Sequence, residues 1–167
     1  ISHLHPDHDD PKTLRVFRRD LPIVVLDRHP NYLSRFLKRL GFTRIIGVSD
    51  HGSWSLGPFH GSMYAPFTTH PFDESKIGLI LDSAMGISDG AHTVLNANDN
   101  ALTPEAAKEF VGVTVAQLNY QAAGPYPASF DHFTPEAKRL AHGAILRREL
   151  DYDVSLLEIL KPKYFMP

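Results

Sequence analysis

The 167-residue chain has no cysteine. That absence removes disulfides and any thiolate-rich structural zinc site, and it fits a reducing, cytoplasmic setting. No apolar run is long enough to span a bilayer, and no charged-then-apolar opening segment reads as a secretory signal. No basic run exceeds Arg18-Arg19 or Arg147-Arg148, and the net charge is -2. The chain therefore offers no electrostatic footprint for nucleic acid. Internal repeats and low-complexity segments are also missing. What is left is an ordinary globular balance, 43% hydrophobic and sized for one core. A homo-oligomer stays open.

Against this plain background one stretch stands out. Three imidazoles and a carboxylate crowd into His3-Leu4-His5-Pro6-Asp7-His8. Ile1-Ser2 reads as the end of an apolar strand. If the backbone stays extended through His5, the period of two puts His3 and His5 on one side, where both reach a single ion at about 2.0–2.1 Å per Zn–N bond. Pro6 then breaks the strand, and Asp7 and His8 turn toward a second ion nearby. Neutral imidazole and carboxylate donors suit two divalent metal ions, zinc first, with iron or manganese as alternatives. A purification tag would be a plain histidine run, and solvated loop histidines have no reason to alternate in this way.

The rest of the chain reads as alternating elements. Asp10 and Pro11 open a helix ending near Asp20, and 22–26 is a buried strand. A second helix carries Tyr32, Leu33, Phe36, Leu37 and Leu40, with Gly41 as its C-terminal cap, and 45–48 is the next strand. Glycine, proline and aromatics from Ser49 to Phe67 predict a meander. A strand over 77–81 and 83–87 with a bend between them, a turn at Ser88-Asp89-Gly90 and a strand ending at Asp99 follow. Thr103-Pro104-Glu105 starts a helix reaching Val111, and 113–119 is a strand. A glycine- and proline-rich loop covers 121–127. A long helix from Thr134 to about Leu150 and a shorter one from Asp153 to Leu160 lead to a closing strand over 160–167 that heads into the core.

A catalytic metal site needs ligands from more than one loop. Downstream candidates at strand ends or in loops are His29, His51, His60, His70, His92, Asp82, Asp99 and His132. His70 is favoured because it follows a strand in Thr-His-Pro, and Asp99 because it ends a strand. His60, in a glycine-flanked segment, is the rival to His70.

The run Ser2-His3-Leu4-His5-Pro6-Asp7-His8 resembles the HxHxDH signature of the metallo-β-lactamase-fold hydrolases. Further similarity at His70-Pro71, 95–99, 122–127 and 161–167 points to the branch of CMP-N-acetylneuraminate hydroxylase-like and ascorbate-6-phosphate lactonase-like proteins. The resemblance implies an α/β metallo-β-lactamase-like αββα sandwich, one domain over 1–167, incomplete at both ends because the chain opens inside a strand without Met. It implies that His3 and His5 serve one metal, Asp7 and His8 the other, His70 adds a fourth histidine, Asp99 bridges, and a last histidine lies beyond Pro167. The function expected first is a hydrolase acting on a small-molecule ester, amide, lactone or phosphodiester: paired ions bring a bridging water toward neutral pKa, and Asp7 holds or accepts its proton. A metal-dependent oxygenase component served by a Rieske centre is the second expectation, and a non-catalytic metal-binding module the third.

Overall fold

The computed structural model describes residues 1–4, 8–67, 82–97, 99–119 and 126–167. The elements are α1 (Pro11–Leu14), β1 (Ile23–Leu26), α2 (Tyr32–Arg39), β2 (Ile45–Val48), β3 (Ser53–Leu56), β4 (Phe59–Tyr64), β5 (Ala84–Ser88), β6 (Thr93–Ala97), α3 (Pro104–Ala107), β7 (Val115–Leu118), α4 (Pro135–Leu160) and β8 (Tyr164–Met166). A 3-10 turn, Lys108–Phe110, continues α3. β1 and β2 form a parallel pair, and β3 to β8 form a mixed sheet in sequential order.

Period-two alternation builds the layers. In β1, Ile23 and Val25 face a cluster with Leu14, Leu33, Leu37 and Phe42, so α1 and α2 cover that side. Val24 and Leu26 face the other way, into a cluster with Val48, Met63, Trp54 and Met85 that joins the two sheets. The far side of the large sheet offers Ala84, Leu95, Ala97, Ala116 and Leu118 to α3 and α4, through Ala107, Phe110, Leu156 and Leu160. Helix, sheet, sheet, helix is the αββα order expected from the sequence.

Three expectations need correction. α1 stops after Leu14, because Val16 and Phe17, read as its apolar side, find no cover and stay 79% and 47% exposed. The closing strand does not enter the core: β8 pairs in parallel with β7 at the sheet edge, and its side chains are exposed. Most consequentially, the two terminal helices are one, since no glycine or proline interrupts Leu150 to Asp153 and α4 runs unbroken for 26 residues. Asp153 is therefore a buried helix-interior residue, not a cap.

Other details agree with the sequence. Asp10, Asn31, Thr103 and Thr134 cap their helices with side-chain oxygens, and Gly41 takes the left-handed conformation, φ +93°, that ends α2. The Ser88-Asp89-Gly90 turn closes the β5–β6 hairpin, and the backbone N–H groups of His92 and Ala91 hold the Asp89 carboxyl down at about 2. This hairpin matters to the site because antiparallel pairing sets the start of β5 beside the end of β6, Met85 opposite Asn96.

Candidate metal centre

Asp82 lies just before β5 and Asp99 just after β6, so both fall at the same end of the large sheet. The opening segment reaches that end from the smaller sheet. The Ile1 amino group donates to the Val24 carbonyl at 3.3 Å, and the Ser83 hydroxyl donates to the Ser2 carbonyl at 2.8 Å. His3 is thereby pinned between the sheets, 3% exposed.

Three of the residues singled out from sequence converge there. Ligand atoms of His3, His8 and Asp99 all lie within 4.8 Å of one another. Asp99 Oδ2 stands 2.9 Å from His8 Nε2 and 3.6 Å from His3 Nε2. Donors about 2.0–2.1 Å from a tetrahedral ion sit roughly 3.3 Å apart, and these spacings bracket that value. The donor set is two imidazoles and one carboxylate, which fits zinc, iron or manganese. Its burial is graded, with His3 buried, His8 half-buried and Asp99 exposed, so one side of the cluster faces outward.

The remote nitrogens are held too. His3 Nδ1 lies 2.9 Å from Asp82 Oδ1 and 3.0 Å from the Ser2 hydroxyl, which is also 3.4 Å from His8 Nδ1. A carboxylate accepting at Nδ1 fixes the tautomer that leaves the Nε2 lone pair for a metal. Asp82 is itself anchored: Oδ1 accepts from the Ser83 N–H at 2.6 Å, and its carbonyl accepts from Arg28 Nη2 at 3.1 Å. Burial lowers the Arg28 pKa, an effect that the charges of Asp82 and Asp50 oppose.

Asp82 was one candidate ligand among several in the sequence, and its place behind His3 was not foreseen. The available signal was its position at the mouth of a strand whose hairpin partner ends at Asp99. His5, Asp7 and His70 lie outside the described residues, as does the loop at 120–125. His60, the rival to His70, is not in a loop: it is exposed near the start of β4, paired with Ser55 and Ser88 at the far end of the β4–β5 ladder from Asp82. His29, His51, His92 and His132 are exposed. Among the described residues no helix is long and apolar enough to cross a membrane.

The architecture is that of the metallo-β-lactamase fold. YhfI of Bacillus subtilis, a metallo-β-lactamase fold protein, is 18% identical with a TM-score of 0.52 over 99% of this chain and 73% of its own. CmlA, a diiron β-hydroxylase from Streptomyces venezuelae, is 19% identical with a TM-score of 0.66, covering 99% of this chain and 34% of its own. In sequence, a Mycobacterium tuberculosis protein named as a Rieske 2Fe-2S iron–sulfur protein is 32% identical over 157 residues, 90% of this chain. The chain spans 29% of that relative's length. No family model matches the chain.

Proposed function

We propose that this chain is the metal-bearing domain of an iron-dependent oxygenase that acts on a small-molecule substrate. The observation that carries the reading is the convergence of His3, His8 and Asp99, a two-histidine, one-carboxylate donor set of the kind that holds non-haem iron. The likeness to a diiron hydroxylase over nearly the whole chain supports it, and so does the name of the mycobacterial relative. His5, Asp7 and His70 would supply the further ligands of a two-ion centre in which Asp99 would be shared.

Iron held here would supply the redox capacity for dioxygen chemistry. The chain's own residues orient and seat it. Asp82 and Ser2 fix the His3 ring from behind, Ser2 also steadies His8, and the exposed face of Asp99 leaves an approach for substrate. A Rieske cluster needs cysteine ligands. The chain has none, so a donor of that type would sit on other sequence.

Hydrolysis is the competing reading, because the same donor atoms suit zinc equally. Metal analysis of the full-length protein separates the two. Iron at about two per chain, with oxygen uptake that depends on an added reductant, is expected; zinc alone with oxygen-independent cleavage of ester or lactone probes would overturn the oxygenase reading.

A further inference from the structure

Along the inner face of α4, positions 149, 153, 156 and 160 fall at helical spacing, and Leu156 and Leu160 are core residues of the large sheet. The same stripe carries Glu149 and Asp153 where apolar residues would continue it. Asp153 is more than nine-tenths buried, and its Oδ2 has no hydrogen-bond partner among the described residues. Both acids line a cavity of about 100 Å³ at the ends of β6 and β7, which also touches Asp99 and Asn100. Among the described residues no lysine, arginine or histidine lines it; from outside the cavity Arg148 donates to Glu149 Oε1 at 2.7 and 3.1 Å, which leaves Glu149 Oε2 and the Asp153 carboxyl to face the cavity's occupant.

Two acids one helical turn apart repel each other, and a buried carboxylate without a donor is costly. Neighbouring groups register this negative field. Burial and then Glu149 push the Asp153 carboxyl up to about 6, and burial followed by the charges of Glu105, Asp153 and Glu149 raises the Tyr152 phenol. Tyr152 spends its hydroxyl on the Leu102 carbonyl, at 2.8 Å, and Asn100 spends its amide on Phe67 and Ala65, so neither supplies the missing donor. A compact cation with several N–H groups meets every requirement of the cavity. At about 30 Å³ per water, the volume suits a terminal ammonium with a carbon or two, and the rest of such a molecule must extend outward.

We infer that this cavity receives a primary ammonium group of the substrate, held by Asp153 and Glu149 beside Asp99. The inference rests on the proposed metal centre only for its statement that this group belongs to the substrate. The test is a ligand-observed NMR titration of full-length, metal-loaded protein with propylammonium, with propan-1-ol as neutral isostere and metal content measured on the same samples.

Saturable binding of the amine is expected, with the alcohol at least roughly tenfold weaker and Asp153→Asn and Glu149→Gln each weakening the amine by roughly tenfold, the scale of one charge-assisted hydrogen bond. Equal binding of amine and alcohol, or unchanged amine binding in both variants, would overturn it and leave the cavity to water. Amine binding in protein that holds no metal would sink the oxygenase reading while this site stands. Metal without amine binding would do the reverse. Glu149→Gln alters a half-buried position, so it serves where Asp153→Asn disturbs folding.

Discussion

Removing the carboxylate behind His3 tests whether the cluster is built to hold metal. Asp82 Oδ1 is 2.9 Å from His3 Nδ1, and the two side chains are 13% and 1% exposed, so water cannot readily take over the contact. Groups standing behind a metal-binding histidine typically contribute about 10–100-fold in affinity, or about 1.4–2.8 kcal/mol. The geometry predicts a graded response within that range. Asp82→Asn keeps an oxygen that can accept from His3 and from the Ser83 N–H, and loses only the charge, which roughly halves such a bond. Its affinity should fall about tenfold. Asp82→Ala removes the carboxylate acceptor, leaves His3 Nδ1 to the Ser2 hydroxyl alone and the Ser83 N–H without its partner, so its loss should be larger, toward a hundredfold. Chelator-competition titrations on the full-length protein measure both, with circular dichroism confirming that the fold persists. Equal affinity in all three proteins, or a larger loss in Asn than in Ala, would refute the argument that Asp82 sets the tautomer and direction of His3.

Two further outcomes follow from the acids and amides around the site. Asp153 is raised from 3.8 to about 6 in the folded protein, so folding favours its protonated form. Below pH 3.8 it costs nothing, the penalty grows as pH rises to about 6, and above that it is fully present. The full shift corresponds to about 3 kcal/mol, and water entering the cavity reduces this to roughly 1–2 kcal/mol. Asp153→Asn should therefore melt about 2–8 °C higher than the parent at pH 7.5 and show no gain at pH 4; a gain of equal size at both would exclude ionisation as its source. Asn100, 2% exposed, accepts from the Phe67 N–H at 3.0 Å and donates to the Ala65 carbonyl at 3.2 Å. Asn100→Ala orphans both groups and should cost roughly 2–3 kcal/mol in urea unfolding; a loss under about 0.5 kcal/mol would mean that water satisfies them.

How much of this was legible in the chain depends on the range of the signal. The unbroken, β-branched apolar run Ile23-Val24-Val25-Leu26 predicts a buried strand, and the clusters on both sides of β1 are that prediction in three dimensions. Crowded histidines at the start and an acid closing a strand were readable as site residues, because ligand chemistry leaves a mark in residue type, and His3, His8 and Asp99 do meet. The roles of Asp82 and Asp153 are not legible from local sequence, for a shared reason. Each takes its meaning from a surface that sequence spacing does not reveal: the ring of His3, 79 positions away, and the packed ends of β6 and β7. An aspartate seen alone looks like a cap or a ligand, and Asp153 resembles a helix start even though no breaker precedes it.

The contrast with Val16 and Phe17 sharpens the point. Those residues obey the local helical pattern and remain exposed for want of a surface opposite them, whereas Asp153 violates the apolar stripe of α4 and is buried. A buried violation carries an energetic cost that an exposed conformity does not. The cost is tolerable if something outside the fold offsets it. By that reasoning the acidic break in α4, lying beside Asp99, would belong to the substrate of the proposed metal centre, and its occupant should be sought among molecules that bring a positive charge to the end of the sheet.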